Sequence, residues 1–388
     1  MRGGRQTSGV RTSLLAALAL ALALLLLGSP PTQAADTLCS VPPATYKSAK
    51  AEFPDLKFAL DTLEQFGIAT WYSDRSVNGD VTKTIATLVN TCPESSRLSV
   101  VVYALPNKDC AAGYSNGNGS VETSADYVAF VTQLTDAIGT RKVLYVLEPD
   151  AVGLLADGGC AVESGYADNL KLAIPLLAAN PNAAIYLDVG FWTLAKPESA
   201  AAVARIVREL NTATGGKLKG ITLNTSNYRS TEEIAKLCAT FQEAVQSTDL
   251  HCVVDTSRNY AVPSGAASSE WCNKRTAGIG ALPTSDTGYA NLDYFVWIKP
   301  PGDSDGTCDG ADRSPEAMQG PEAGAFFQGH FLKLWNQGYL VKEKKMATIY
   351  DPSVKSIAVR LSTKDALMGS ALTLVLTLVL ALPWAAES

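Results

Sequence analysis

Carboxylates are the residues whose number and spacing in this chain could do chemistry. Asp109 lies shortly after an apolar run at 98–103, and Glu148 and Asp150 follow a second at 143–147. Asp188 follows 184–187, Asp255 and Arg258 follow 252–254, and Lys299, Asp303 and Asp305 follow 294–298. Asn224 and Asn227 come after a run at 220–223. A single Asp after a strand is usually a helix cap or a loop residue. Carboxylates after five such runs point to one shared rim, the C-terminal face of a parallel sheet.

Rival chemistries lack their residues. The chain has two histidines. His251 opens a buried run and His330 sits in the last helical segment, so both read as structural, and none is left for a Ser-His-Asp triad or a metal site. No Gly-rich phosphate loop or dinucleotide fingerprint follows the first run. None of the eight cysteines forms a C-x-x-C pair, and zinc spacing is absent, so neither metal nor cofactor is expected. Acid and base must then be carboxylates, which suits glycosidic cleavage: one carboxyl stays protonated for the leaving oxygen, while another assists water or adjusts the first pKa. Asp150 is the candidate acid, with Asp109, ending the adjacent strand, as the neighbour that raises its pKa. Trp71, Tyr103, Trp192, Trp271 and Trp297 fall at strand ends or rim loops, where flat rings could carry sugars, with core packing as the alternative for each and Trp71 the favoured sugar platform. Trp335 and Trp384 are assigned to packing and to the tail.

The elements that must position these groups alternate. Strands are expected at 68–72, 98–103, 143–147, 184–187, 220–223, 252–254 and 294–298, with helical periodicity at 81–90, 125–138, 166–179, 200–210 and 232–245 and a last helix at 324–336. Thr123-Ser124 and Ser230-Thr231 sit where N-caps belong. Near-continuous apolar strands separated by helices imply an α/β fold with a parallel sheet, and about seven units favour a barrel over an open sheet. No flexible linker interrupts Cys39 to Tyr350, so one domain spanning 36–345 is expected.

The ends read differently. Arg2, Arg5 and Arg11 precede an apolar run at 14–27 and small residues up to Ala34, the pattern of a secretory signal over 1–34. Removing those arginines takes the net charge from −6 to −9, a poor match to nucleic acid or an anionic membrane and a better one to a neutral polysaccharide. An even cysteine count in an exported chain suggests disulfides. The tail, 346–388, ends in a second apolar run at 371–384, too short for a comfortable membrane span. It reads as a GPI-attachment signal, a tail anchor or an ordinary apolar end.

Seven motifs, most at expected strand ends, resemble glycoside hydrolase family 6, the cellobiohydrolases and endoglucanases with a distorted seven-stranded barrel. They are Val101-Val102-Tyr103 through Asp109-Cys110-Ala111-Ala112, Leu147-Glu148-Pro149-Asp150, Tyr186-Leu187-Asp188, Asn224 through Asn227-Tyr228, Asp255 through Arg258, Trp271-Cys272-Asn273, and Phe295 through Asp303-Ser304-Asp305-Gly306. The resemblance implies inverting hydrolysis of β-1,4-glucan, with Asp150 as general acid, Asp109 tuning its pKa and Asp305 as candidate base. Inversion needs about 6.5–9.5 Å between carboxyls to admit water. Tyr103 would press on the distorted sugar and Ser115 would help hold the water. Lys299, Asp303 and Asn227 would bind hydroxyls, with Trp71, Trp192 and Trp271 as sugar platforms. No metal or organic cofactor is implied. Disulfides Cys110–Cys160 and Cys272–Cys308 transfer from the family, leaving Cys39–Cys92 and Cys238–Cys252 by remainder.

This chain departs from the family at three places. Lys108 replaces an arginine, Asp188-Val189-Gly190-Phe191-Trp192 lacks a histidine, and Asp303 replaces a glutamate. Loops after Asp188 and Asp305 look short, which favours an open cleft and endo cleavage. The expectation is a secreted, monomeric endo-β-1,4-glucanase, possible membrane attachment residing in the tail. The alternative is a non-catalytic surface protein that binds cellulose, against which stands the presence of both Asp109 and Asp150. Sequons at Asn118 and Asn224 lie near the rim, where a glycan would obstruct substrate, so neither is expected to be heavily used.

Overall fold

Apolar runs with a hidden period of two build a barrel with distinct inner and outer faces. The structure, a computed structural model, describes residues 36–75, 80–116, 119–260, 270–310 and 313–350. Its strands are β1 (Leu38–Cys39), β2 (Thr70–Ser73), β3 (Arg97–Tyr103), β4 (Val143–Leu147), β5 (Ala183–Asp188), β6 (Gly220–Leu223), β7 (His251–Asp255) and β8 (Leu292–Val296). Strands β2 to β8 pair in chain order, all parallel, and β1 extends the β2 edge by pairing with the start of β3. Within β4, Leu144 and Val146 face a strand-only inner cluster with Val101, Tyr186, Val253 and Val296. Val143, Tyr145 and Leu147 face helices instead. Burial on both faces explains why these strands read as continuous apolar runs.

The sheet curls until its edges meet. Ile68 bridges Trp297 in parallel, Ala69 N–H donates to Trp297 O at 2.8 Å, and Trp71 Nε1 donates to Ile298 O at 2.8 Å. A separate apolar cluster covers this seam, built from helices Ala44–Glu52, Lys57–Leu63 and Gln328–Gln337 around Ile68 and Trp297. Chain ends distant in sequence thus close the barrel together.

Helices Val81–Thr91, Ser124–Ile138, Tyr166–Ala178, Pro197–Ala213 and Thr231–Val245 follow the expected periodicity. Thr123 and Ser230 are the N-caps, Thr123 in a reciprocal capping box with Asp126. The helix expected at 324–336 begins later, at Gln328, because the residues before it pair with the segment after β8: Ser304 N–H donates to Ala325 O and Phe327 N–H to Gly302 O. Among the described residues no helix is long and apolar enough to cross a membrane. The proposed signal at 1–34 and the apolar tail run lie outside the described residues.

Candidate active site

A cavity of about 830 Å³ opens at the C-terminal ends of the strands. It is lined by the residues to which the family resemblance gave catalytic or sugar-binding roles: Trp71, Tyr103, Asp109, Ser115, Asp150, Trp192, Asn227, Trp271, Lys299, Asp303 and Asp305. The topology brings them there because each lies near the C-terminal end of a strand of one parallel sheet or in a loop that follows one.

Asp150 and Asp109 share one wall. Asp150 is half-buried, with a left-handed backbone (φ 69°) directly before helix Ala151–Asp157. Burial raises its pKa well above the ordinary carboxylate value, and the charges of Asp188 and then Asp109 raise it further. Asp109, also left-handed (φ 55°), is raised by burial, opposed by the N–H groups of the loop that returns over it. Ser115 N–H donates to Asp109 Oδ2 at 2.6 Å. Asp188 is the neighbour the sequence did not single out. Its Oδ1 accepts the N–H of Asp150 at 2.8 Å, and its pKa is pushed up to about 6 by burial.

Rim carboxylates divide into clasps and cavity groups. Glu148 accepts the N–H groups of Ala104 and Leu105 and the Tyr127 hydroxyl (2.8 Å), fixing the start of the β3 loop. Burial lifts it to about 7. Asp255 accepts four backbone N–H groups, from Ser226, Ser257, Ile298 and Lys299, which ties the β6, β7 and β8 loops together. These clasps hold strained backbone: Asn107, Asp109, Glu148, Asp150, Asn224 and Ser226 all have positive φ in post-strand loops. Such strain persists where surroundings over-determine it and clusters at functional sites.

The opposite wall is charged. Asp305 lies 2.7 Å from Arg258 Nη1 and 3.3 Å from Lys299 Nζ, and accepts from Tyr228 Oη (3.0 Å) and Asn273 N–H (2.9 Å). Burial alone would raise its pKa, but Arg258 and Lys299 outweigh that and hold it well below the usual range. Asp303, bonded to Thr45 Oγ1 at 2.7 Å, is pushed up to about 7 by burial despite Lys299.

Trp71 packs edge-on against Tyr103, ring centroids 5.5 Å apart. Trp192 lies over Gly190 (φ 65°), where an added Cβ would meet the ring at 2.3 Å, and its Nε1 donates to Asp157. Trp271 meets Tyr114 at 5.8 Å and Arg313 at 4.7 Å. Trp297, read with the rim aromatics, is instead fully buried in the seam cluster against Phe66. Trp335 is buried there too. His251 pairs with Asp293 at 2.7 Å at the start of β7, and His330 is buried against Lys274 O, so neither lines the cavity. Asn224 is 1% exposed and donates to Arg229 O and Asp255 O, which removes it as a glycan acceptor in the folded chain. Asn118 lies outside the described residues. All four disulfides form as paired from sequence: Cys110–Cys160, Cys272–Cys308, Cys39–Cys92 and Cys238–Cys252. Among the described residues no group of His, Cys, Asp and Glu is arranged to hold a metal ion.

Against known proteins, the family model for glycosyl hydrolases family 6 matches residues 38–338. A probable 1,4-beta-D-glucan cellobiohydrolase C from Aspergillus niger is 33% identical over 275 residues, covering 60% of this chain and 59% of its own length. Endoglucanase A from Thermobispora bispora is 34% identical over 211 residues, 53% of this chain and 43% of that protein. The chain therefore spans less than two thirds of the length of these relatives. Among solved structures, the GH6 enzyme of Orpinomyces sp. Y102 aligns with a TM-score of 0.65 and 27% identity, covering 78% of this chain and 97% of that one. The endoglucanase Cel6 from Mycobacterium tuberculosis, in complex with methyl-cellobiosyl-4-deoxy-4-thio-β-D-cellobioside, aligns with a TM-score of 0.63 and 25% identity over 78% of this chain and 98% of that one.

Proposed function

The chain belongs to the glycosyl hydrolases of family 6, and from that premise we propose that it hydrolyses internal β-1,4-glucosidic bonds of cellulose or a related β-glucan with inversion. The observation that carries this reading is Asp150. It lines an aromatic-walled cavity, and burial, then the charges of Asp188 and Asp109, raise its pKa. Such an environment favours the protonated carboxyl, as the donor to a leaving glycosidic oxygen requires. Asp188 and Asp109 maintain the proton by repulsion. In this reading Ser115, whose N–H binds Asp109, helps hold the water, and Tyr103, which lines the cavity, presses on the distorted ring. Lys299, Asp303 and Asn227 take glucosyl hydroxyls, with Trp71, Trp192 and Trp271 as platforms.

Asp305 is the family's candidate base, but its environment suits another role. A carboxylate held so firmly ionised is a weak proton acceptor. It serves better as a fixed negative charge that orients Lys299 and Arg258.

Endo action is supported by the β5 connection: Val189 and Gly190 alone separate the strand from helix Phe191–Leu194, which leaves no lid from that side. Asp150→Asn should cut turnover of a soluble cellulose derivative by roughly 10²–10⁴-fold while leaving the folded state intact. Turnover at the wild-type rate in that variant rejects the assignment, and glucan binding without sugar release by the wild type would favour a binding protein. Viscosity loss that runs ahead of reducing ends is expected. Slow loss with cellobiose release would point to exo action. Export through residues 1–34 and attachment through 346–388 belong to the same proposal, tested by fractionating cells that express the full chain.

A further inference from the structure

Just past β2, two charged residues grip the segment that carries Asp109. The Asp74 side chain is completely buried, 2.5 Å from the equally enclosed Lys108 Nζ, the residue before Asp109. Its other oxygen accepts the N–H of Val121 at 3.0 Å. Gly119 lies so close that an added Cβ would sit 2.3 Å from Asp74 Oδ2 and 3.1 Å from Lys108 Nζ. One carboxylate thus holds both flanks of the excursion bearing Asp109, Tyr114 and Ser115. Its neighbour Arg75 reaches the middle, with Nη1 3.3 Å from Ser115 Oγ, and Ser115 N–H in turn binds Asp109.

We propose that Asp74 is a positioning residue for Asp109: by clamping Lys108 and Val121 it sets how strongly the Asp109 carboxylate acts on Asp150. The proposal rests on the reading of Asp150 as general acid. Asn107 and Asp109 sit at φ 56° and 55°, a left-handed region that costs most residues energy and that surrounding bonds help to hold. The β2–β3 ladder, Thr70–Ser73 against Val100–Tyr103, is formed by backbone alone. Loss of the Asp74 charge therefore releases the loop before it disturbs the barrel. Lysine at position 108 makes the clamp a single-point contact, since an ammonium lacks the planar fork that would grip a carboxylate in two places.

The test compares wild type, Asp74→Asn and Asp74→Asn/Lys108→Met, each as the full exported chain. Two quantities are read: kcat and KM on a soluble cellulose derivative across pH, and the substrate-free titration of the Asp150 carboxyl carbon by ¹³C NMR, assigned with Asp150→Asn. In Asp74→Asn, kcat should fall about 10- to 100-fold with KM within about threefold. The alkaline limb and the Asp150 midpoint should both move to lower pH by roughly half to one unit, as a like charge draws away. The double variant, free of an orphaned buried ammonium, should fold more stably yet keep the displaced midpoint. A folded Asp74→Asn with the wild-type midpoint overturns the proposal. So does a midpoint restored by the double variant, which would assign the effect to Lys108. Because the titration needs no turnover, an inactive wild type would defeat the functional reading while leaving the clamp to be judged by the midpoint.

Discussion

The two walls of the cavity use the same residue type to opposite ends. On the β3–β5 side burial raises the pKa of Asp150, and the charges of Asp188 and Asp109 raise it further. On the β7–β8 side Asp305 is more deeply buried, but Arg258 and Lys299 stand against it. The surroundings of one aspartate favour its protonated form and those of the other its anion. Burial alone therefore does not decide protonation here; the sign of the nearest charge does, and groups whose pKa values are pushed apart are the ones to which acid and anionic roles can be given.

The comparison breaks most completely if the charged wall loses its cation. Arg258 is fully buried, bonds Asp305 and the Ser226 carbonyl, and stacks 4.3 Å from the Tyr228 ring centroid. Arg258→Met would leave a buried carboxylate with Lys299 as its remaining ion-pair partner. Removing one partner of such a pair costs about 3–5 kcal/mol, measurable by urea unfolding at pH 7, and activity should fall with it. The sign with pH follows from Asp305. Its depressed pKa stabilises the fold above the unfolded value of about 4, and that contribution fades as pH falls towards the folded value. The gap between wild type and variant should therefore narrow in acid.

Asp305→Asn separates anchoring from proton transfer. Asn keeps an oxygen for Asn273 N–H but loses the charge that binds Lys299 and Arg258. We expect kcat to drop by roughly 10²-fold. Because wild-type Asp305 is already ionised throughout the working range, the acid limb of the pH profile should stay where it is. An acid limb abolished by this substitution would make Asp305 the base.

On the other wall, Asp188→Asn removes the larger of the two repulsive charges on Asp150 while an amide oxygen can still accept the Asp150 N–H. On the proposed role of Asp150 as general acid, activity is present below its raised pKa and lost as pH rises through it. Without Asp188 that loss should begin about one unit lower, with the acid-side rate within about tenfold of wild type. A similar displacement from Asp109→Asn would rank the two neighbours equally.

How far the sequence reaches depends on whether a feature is local. β4 and β6 are legible to the residue because both are bounded apolar runs buried on two faces. β1, two residues long, and helices Ala44–Glu52 and Lys57–Leu63 carry too little pattern, and their place at the seam comes from distant partners. The last strand stops at Val296, short of the expected 298, because the Asp255 carboxylate takes the N–H groups of Ile298 and Lys299 and diverts them from the ladder. The same limit applies to the site. Which residues line the cavity is visible from strand ends. That Asp188 rather than Asp109 is the stronger charge on Asp150, that Arg258 owns Asp305, and that Asp74 grips Lys108 are facts of pairing across loops. Only the Lys108 substitution hinted at the last of these.

Behind the charged wall lies one cation more than the pairing uses, and it gives the smallest test. Lys274 is buried, its Nζ has no hydrogen-bond partner, and it lies 5.8 Å from the Tyr228 ring centroid. Burial, and then Arg229, lower its pKa. For a base this means the unfolded chain binds protons more readily than the folded one, so the group opposes folding at neutral pH and does so less as pH rises towards its unfolded value. Lys274→Met keeps most of the stem and removes the buried amine. It should therefore stabilise the protein by about 1 kcal/mol at pH 7, with a smaller gain near pH 10, read as paired urea midpoints. Destabilisation would instead mean that the ammonium contributes to Tyr228, and through its hydroxyl to Asp305, so that the charged wall extends one layer deeper than its ion pairs.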